Sequence, residues 1–183
     1  MAQWYFEPGH TAAEFAVRHM MLCFVRGAFK NVQGTLNFYP EDPGNGSVEV
    51  RMNASAIWSG DEGRDDHLCS ADFMDADKHS EITFSGSEVK VLNSHDYRVT
   101  GGLRIRGVTK RATLDVTCLG QWQTPWWEDG EHKGPKTRAG FLATSTINRH
   151  DLGVRWNGSL DKGGIVVGDD VRITIDAEAI LDG

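Results

Sequence analysis

Val171-Arg172-Ile173-Thr174-Ile175-Asp176-Ala177-Glu178 alternates apolar and polar side chains without a break. Successive side chains of a strand point to opposite faces, so this stretch reads as a strand with one apolar and one wetted face. The same period recurs along the chain. Phe15 and Val17 share a face within residues 14–18, as do Leu36 and Phe38 within residues 35–39. Leu103 and Ile105 alternate with Arg104 and Arg106, and Leu114, Val116 and Cys118 with Thr113, Asp115 and Thr117. Phe141, Ala143, Ser145 and Ile147 fall on one side of another run. Turn formers punctuate these segments at residues 40–46, Gly107, Gly130, Gly134-Pro135 and Gly163-Gly164.

Six or more such strands, with no linker between them, describe one all-β domain over residues 1–183. The sequence offers no long helix to cover the apolar faces. A sheet with one apolar face and nothing to cover it must close on itself or face another sheet. An eight-stranded barrel has an interior that side chains can just fill, or that can hold one small ligand. Ala143, Ser145 and Ala177 are small for inward positions, which favours a hollow; a filled core is the alternative.

Two segments depart from the pattern. Ser59-Gly60-Asp61-Glu62 fits a capping box with Ser59 as N-cap and Glu62 at N3, predicting one short helix near residues 61–69. Residues 121–136 read as an irregular loop carrying Trp122, Trp126 and Trp127. Trp122 is assigned to the core at a strand end, and Trp126 and Trp127 to a lid over a pocket or to a subunit interface.

The 183 residues, with 39% hydrophobic and 25% charged, suffice for a core or a cavity, and exclude a disordered or fibrous chain. A net charge of −7 without basic clusters in the sequence argues against nucleic acid and anionic membranes as partners. The longest apolar run, residues 20–25, is far short of the roughly 20 residues that cross a bilayer. Glu7 interrupts the first ten residues and no apolar export segment follows, so the expected location is cytoplasmic. Cys23, Cys69 and Cys118 are far apart and form no Cys-x-x-Cys, which reads as three reduced structural thiols. There is no His-Glu-x-x-His, Gly-x-Ser-x-Gly or phosphate-binding glycine loop. Asp65 and Asp66, adjacent on the expected helix, do not face each other. The reading is therefore of a non-enzymatic protein, with no metal site, no catalytic residues and no cofactor.

Longer blocks are more specific. Trp4-Tyr5-Phe6-Glu7-Pro8-Gly9-His10-Thr11, Glu14-Phe15-Ala16-Val17-Arg18-His19-Met20-Met21 and Val25-Arg26-Gly27-Ala28-Phe29 open the series. Arg64-Asp65-Asp66-His67-Leu68, Ser70-Ala71-Asp72-Phe73, Glu81-Ile82-Thr83-Phe84 and residues 102–110 continue it. Arg138-Ala139-Gly140-Phe141, Ile147-Asn148-Arg149-His150-Asp151-Leu152-Gly153 and Val167-Gly168-Asp169-Asp170-Val171 complete it. In this order the blocks resemble the YceI-like family, the lipocalin-like polyisoprenoid-binding proteins. Two places differ: residues 127–136 are longer than the family's usual Asp-Pro-Trp-Gly connection, and Trp58 stands where a small polar residue is usual.

The resemblance implies an extended eight-stranded antiparallel lipocalin-like barrel around a long apolar pocket. It implies storage or transport of an amphiphilic lipid, a polyisoprenoid or isoprenoid-quinone-like molecule, by a homodimer. Phe15, Val17, Phe29, Leu36, Phe38, Leu103, Ile105, Leu114, Val116, Phe141 and Ile147 are the expected pocket residues. Arg64, His67, Lys110 and Arg149 are the expected head-group residues, Arg64 and His67 sharing a helix face at i, i+3. Structural ion pairs, Arg64 with Asp65 and Arg149 with Asp151, are the competing assignment. An enzyme acting on such a lipid and a filled-core interaction module are the alternative functions.

Overall fold

The 171–178 alternation lies inside the strand that closes the molecule. In a computed structural model, which describes residues 2–182, the strands are β1 (Gln3–Phe6), β2 (Ala12–His19), β3 (Cys23–Phe29), β4 (Gln33–Asn37), β5 (Ser47–Asn53) and β6 (Ile57–Trp58). After helix α1 (Glu62–Cys69) come β7 (Glu81–Val91), β8 (Asp96–Ile105), β9 (Val108–Glu128), β10 (Glu131–Asn148) and β11 (Val167–Leu181). Every strand pairing is antiparallel.

One edge of β11 pairs with β10 from Ile180↔Arg138 to Asp170↔Asn148. Its other edge pairs first with β2 and then with β1, which act as two halves of one stave interrupted by the turn Pro8–His10. β3 with β4, and β5 with β6, are broken staves of the same kind, so the ring holds eight staves and has no free side. This is the eight-stranded antiparallel barrel with one helix that the sequence predicts.

Alternation then sorts the side chains. One apolar cluster gathers Phe29, Ile57, Phe73, Ile82, Ile105, Leu152 and Val154 at the helix end. A second gathers Trp4, Phe6, Phe38, Tyr97, Phe141 and Ala179 at the other end, with Trp4 Nε1 donating to the Phe38 carbonyl at 3.2 Å. Between them β7 and β8 approach closely where Gly101 faces Gly86. A Cβ on Gly101 would lie 2.0 Å from the Ser85 carbonyl oxygen and 2.6 Å from the Gly86 Cα, and the register slips just beyond Gly86.

Three local expectations are corrected. Helix α1 starts after Asp61, whose carboxylate accepts from the Arg64 backbone N–H at 2.8 Å. Gly60 has φ +84°, a non-helical value, so Ser59 cannot serve as the cap and Asp61, an equally good N-cap residue, does. Residues 121–136 are no loop: β9 and β10 run on beyond the barrel as a hairpin, pairing Trp122 with Arg138, Pro125 with Pro135 and Trp127 with His132. Its turn, Asp129-Gly130, has φ +52° and +80°, the left-handed pair that suits hairpins, and tryptophan favours strands. Trp122 therefore points outward over Gly120 and is 61% exposed, outside the core. Among the cysteines Cys23 is exposed, while partial burial, with Asp66 and Asp65 nearby, pushes the Cys69 thiol up.

The closing seam carries one polar tie. Glu178 of β11 accepts from Arg138 of β10 and from His10 Nδ1 at 3.2 Å, in the turn between β1 and β2. Partial burial acts to raise the Glu178 carboxyl, but the His10 and Arg138 hydrogen bonds outweigh it and hold it below the usual range. A carboxyl depressed in the folded state adds stability above its unfolded pKa of about 4.3, and loses it as pH falls through the lower folded value. Glu178→Gln should cost about 1 kcal/mol near neutrality and progressively less as the pH falls through the depressed folded value, as read by urea unfolding from neutral to acid pH. Stability curves that stay parallel at every pH would remove the tie from the account.

Candidate functional site

Inward side chains of the ring leave two hollows stacked end to end. The larger, about 260 Å³, lies at the helix end and is walled by Phe15, Val17, Phe29, Met52, Ile82, Leu103, Ile105, Ile147 and Ile173. The smaller, about 100 Å³, is walled by Leu36, Phe38, Val50, Phe84, Leu114, Val116, Phe141, Ile175 and Ala177. All eleven pocket residues read from the sequence thus line a hollow, divided between the two.

The two chambers share no lining residue but follow one another along the strands. Met52 and Val50 on β5, Ile82 and Phe84 on β7, and Ile173 and Ile175 on β11 are successive inward positions, one in each chamber. Such positions are about 7 Å apart along a strand, so the two hollows are neighbours along the barrel axis. Together they reach the low end of the roughly 300–1,000 Å³ of small-molecule sites. Ala143 and Ala177 line the smaller chamber, as their size suggests; Ser145 instead donates to the Thr113 carbonyl at 2.8 Å, bridging β10 to β9.

Polar groups gather at the helix end. Arg64 and His67 of α1 both border the larger chamber. Arg64 Nε donates to Ser59 Oγ at 2.7 Å and Nη2 to the Ser59 carbonyl at 2.9 Å, while Nη1 has no hydrogen bond among the described residues. His67 Nε2 lies 2.8 Å from an Asp72 oxygen, and its ring stands edge-on to Phe73 and Trp156 at 5.0 and 4.9 Å. The segment carrying Phe73 is held there by Arg106, which donates to the Ala71 and Phe73 carbonyls at 2.5 and 2.6 Å.

The other two head-group assignments are corrected. Arg149 borders the chamber but is 4% exposed, and its guanidinium is committed to backbone. It donates to the carbonyls of Gly168 (2.8 Å), Val154 (2.9 Å), Trp156 (2.9 Å) and Val167 (3.1 Å). Four of five donors are used, so little is left for a ligand. Burial pushes the guanidinium down, and Asp169 at 3.8 Å opposes it. Arg149 clamps residues 154–156 onto β11. Lys110 lies elsewhere, in a groove where β9 and β10 part company below the Asp115↔Thr144 pair. That groove shares Leu103, Ile147 and Leu152 with the larger chamber, so Lys110 flanks its side wall. Neither competing ion pair forms: Ser59 bridges Arg64 to Asp65, and Asp169 rather than Asp151 approaches Arg149.

Trp126 and Trp127 line neither chamber. Trp126 is half-buried with the Arg138 guanidinium 5.3 Å over its ring, and Trp127 is 62% exposed against His132. Neither is a lid, because the hairpin carries them past the end of the barrel. Met52, Ile82 and Phe84 are wall residues that the sequence reading missed, although 48–52 and 81–84 alternate as clearly as the runs it used. Trp156 and Val166 come from irregular segments and gave no periodic signal.

The YceI-like domain model matches residues 4–179. A UPF0312 protein of Pseudomonas putida is 33% identical over 153 residues, 84% of this chain and 76% of the relative. Among solved structures, Burkholderia cenocepacia BcnA superposes with a TM-score of 0.78 at 22% identity, covering 94% of this chain and 98% of its own. A polyisoprenoid binding domain from Saccharophagus degradans gives 0.63 at 9% identity, covering 98% of each chain. At those identities the two structures speak for the fold. No helix among the described residues is long and apolar enough to cross a membrane.

The clamp and the rim separate experimentally. Arg149→Met should cost at least about 3 kcal/mol, because it strands buried carbonyls, whereas Arg64→Met should stay within about 1 kcal/mol. Urea unfolding of both variants decides; equal small losses would return Arg149 to the list of free cations.

Proposed function

The chain belongs to the YceI-like family, and we propose that it binds a long-chain amphiphile, storing or carrying it with the tail along the barrel axis. The carrying observation is the pair of apolar chambers that follow one another inside the barrel, the larger bordered by Arg64 and His67. Each buried methylene contributes about 0.8 kcal/mol, against a cost of association of roughly 4–15 kcal/mol. A tail reaching both chambers offsets that cost; one confined to the larger chamber gains less. Hydrocarbon walls offer the tail no hydrogen bonds, so length and girth set selectivity.

The head would rest at the helix end, where Arg64 Nη1 can donate to a phosphate or carboxylate oxygen. His67, held by Asp72, completes a polar rim. The Saccharophagus domain, a polyisoprenoid binding domain, supports an isoprenoid tail by analogy of fold alone. The homodimer remains part of this proposal, with exposed Leu119, Trp122 and Trp127 as its contact.

Native mass spectrometry of the purified protein, followed by solvent extraction, tests the reading. The expected result is one apolar-tailed molecule per chain, lost from an Ile147→Trp, Ile173→Trp variant that fills the larger chamber yet keeps its fold. Protein that emerges empty and stays empty when offered isoprenoid or fatty-acyl probes contradicts it.

A further inference from the structure

Sheet register assembles a basic patch that the order of residues conceals. On the outer face Ala16 pairs with Arg26 on one side and Arg172 on the other, and Arg18 pairs with Phe24. The small Ala16 lets the long stems converge. The guanidinium carbons of Arg172, Arg18 and Arg26 lie 4.7, 4.9 and 6.0 Å from the centre of the Phe24 ring. None of the three forms an ion pair among the described residues, although the chain has a net charge of −7. Glu14 and Asp170 occupy neighbouring outward positions without engaging them.

Beside this patch the β2–β3 turn holds apolar side chains in water. Met20 and Met21 both adopt left-handed backbone, φ +48° and +60°, where glycine or asparagine is the ordinary choice. Leu22 is 81% exposed and Met21 60%. Ile165, also exposed, lies in the adjoining loop, and the Met20 N–H donates to the Val166 carbonyl at 2.7 Å. Val166 in turn borders the larger chamber. Left-handed backbone, exposed apolar side chains and arginines without ion pairs among the described residues therefore meet beside a loop that borders the larger chamber.

We propose that this surface docks on an anionic bilayer, the tip of residues 20–22 entering the acyl region while Arg26 and Arg172 meet lipid phosphates. Charge complementarity selects that occupant. Two copies joined face to face through this patch would oppose arginine to arginine. The exposed Trp127 at the far end sits among Glu128, Asp129 and Glu131, which anionic headgroups repel. Docking would place the chamber rim at the membrane, so a tail could enter without crossing water; that consequence rests on the lipid-carrier reading.

Flotation with vesicles of phosphatidylcholine alone, or mixed with about 30% phosphatidylglycerol, tests it. The protein should float with the anionic vesicles only and be released by about 0.5 M salt. Arg26→Gln with Arg172→Gln should weaken partition roughly 30-fold. Met21→Ser with Leu22→Ser should weaken it about tenfold, and Trp127→Ala should not change it. Binding of cis-parinaric acid in vesicle-free solution reports the chamber separately and should survive in every variant. Probe binding without flotation overturns the docking and leaves the carrier; flotation without probe binding supports the docking and sinks the carrier. Equal flotation on neutral vesicles, or a patch that sedimentation shows to join two copies, also overturns the docking.

Discussion

Pairing of β11 along both halves of the first stave is the constraint from which everything else follows. Without it the apolar inner faces would form an open sheet with an unpaired edge and nothing to cover its greasy side. With it, each inward side chain faces others across the shaft, and the small ones leave room. The seam needs a broken stave: the turn Pro8–His10 lets the chain switch between two register segments on one β11 edge, and Glu178 ties the switch point to β10. Hollow, rim and patch are all geometric results of that closure.

Much of this was legible because the period of a strand is so short. Alternation in residues 14–18, 103–106 and 113–118 picked out residues that line the hollows, whereas Ser145, assigned inward by the same rule, bridges β10 to β9 instead. What it could not convey was depth along the axis, so residues that read as one pocket belong to two chambers. Residues 121–136 misled for a different reason. Prolines and glycines in that stretch resemble a loop, yet they sit at a register shift and a left-handed turn of a hairpin that outgrows the barrel. Arg149 was unreadable as a clamp, since its four acceptors are backbone carbonyls supplied by folding rather than by residue type.

Net charge was equally blind to position. Arg18, Arg26 and Arg172 are scattered in the chain, and their sum is swamped by the carboxylates. Antiparallel register places β2, β3 and β11 side by side and aligns the three guanidinium groups around one phenylalanine. An acidic protein thereby gathers three guanidinium groups at one place on its outer face, beside a loop that borders the larger chamber.

The most direct test of a continuous apolar shaft is the affinity of a homologous series of fatty acids, measured against chain length. Continuity requires affinity to climb about fourfold per added methylene, about 0.8 kcal/mol each, until the tail spans both chambers, and then to level off. Affinity that is flat from the shortest member, or that falls once the larger chamber alone is filled, would contradict the account.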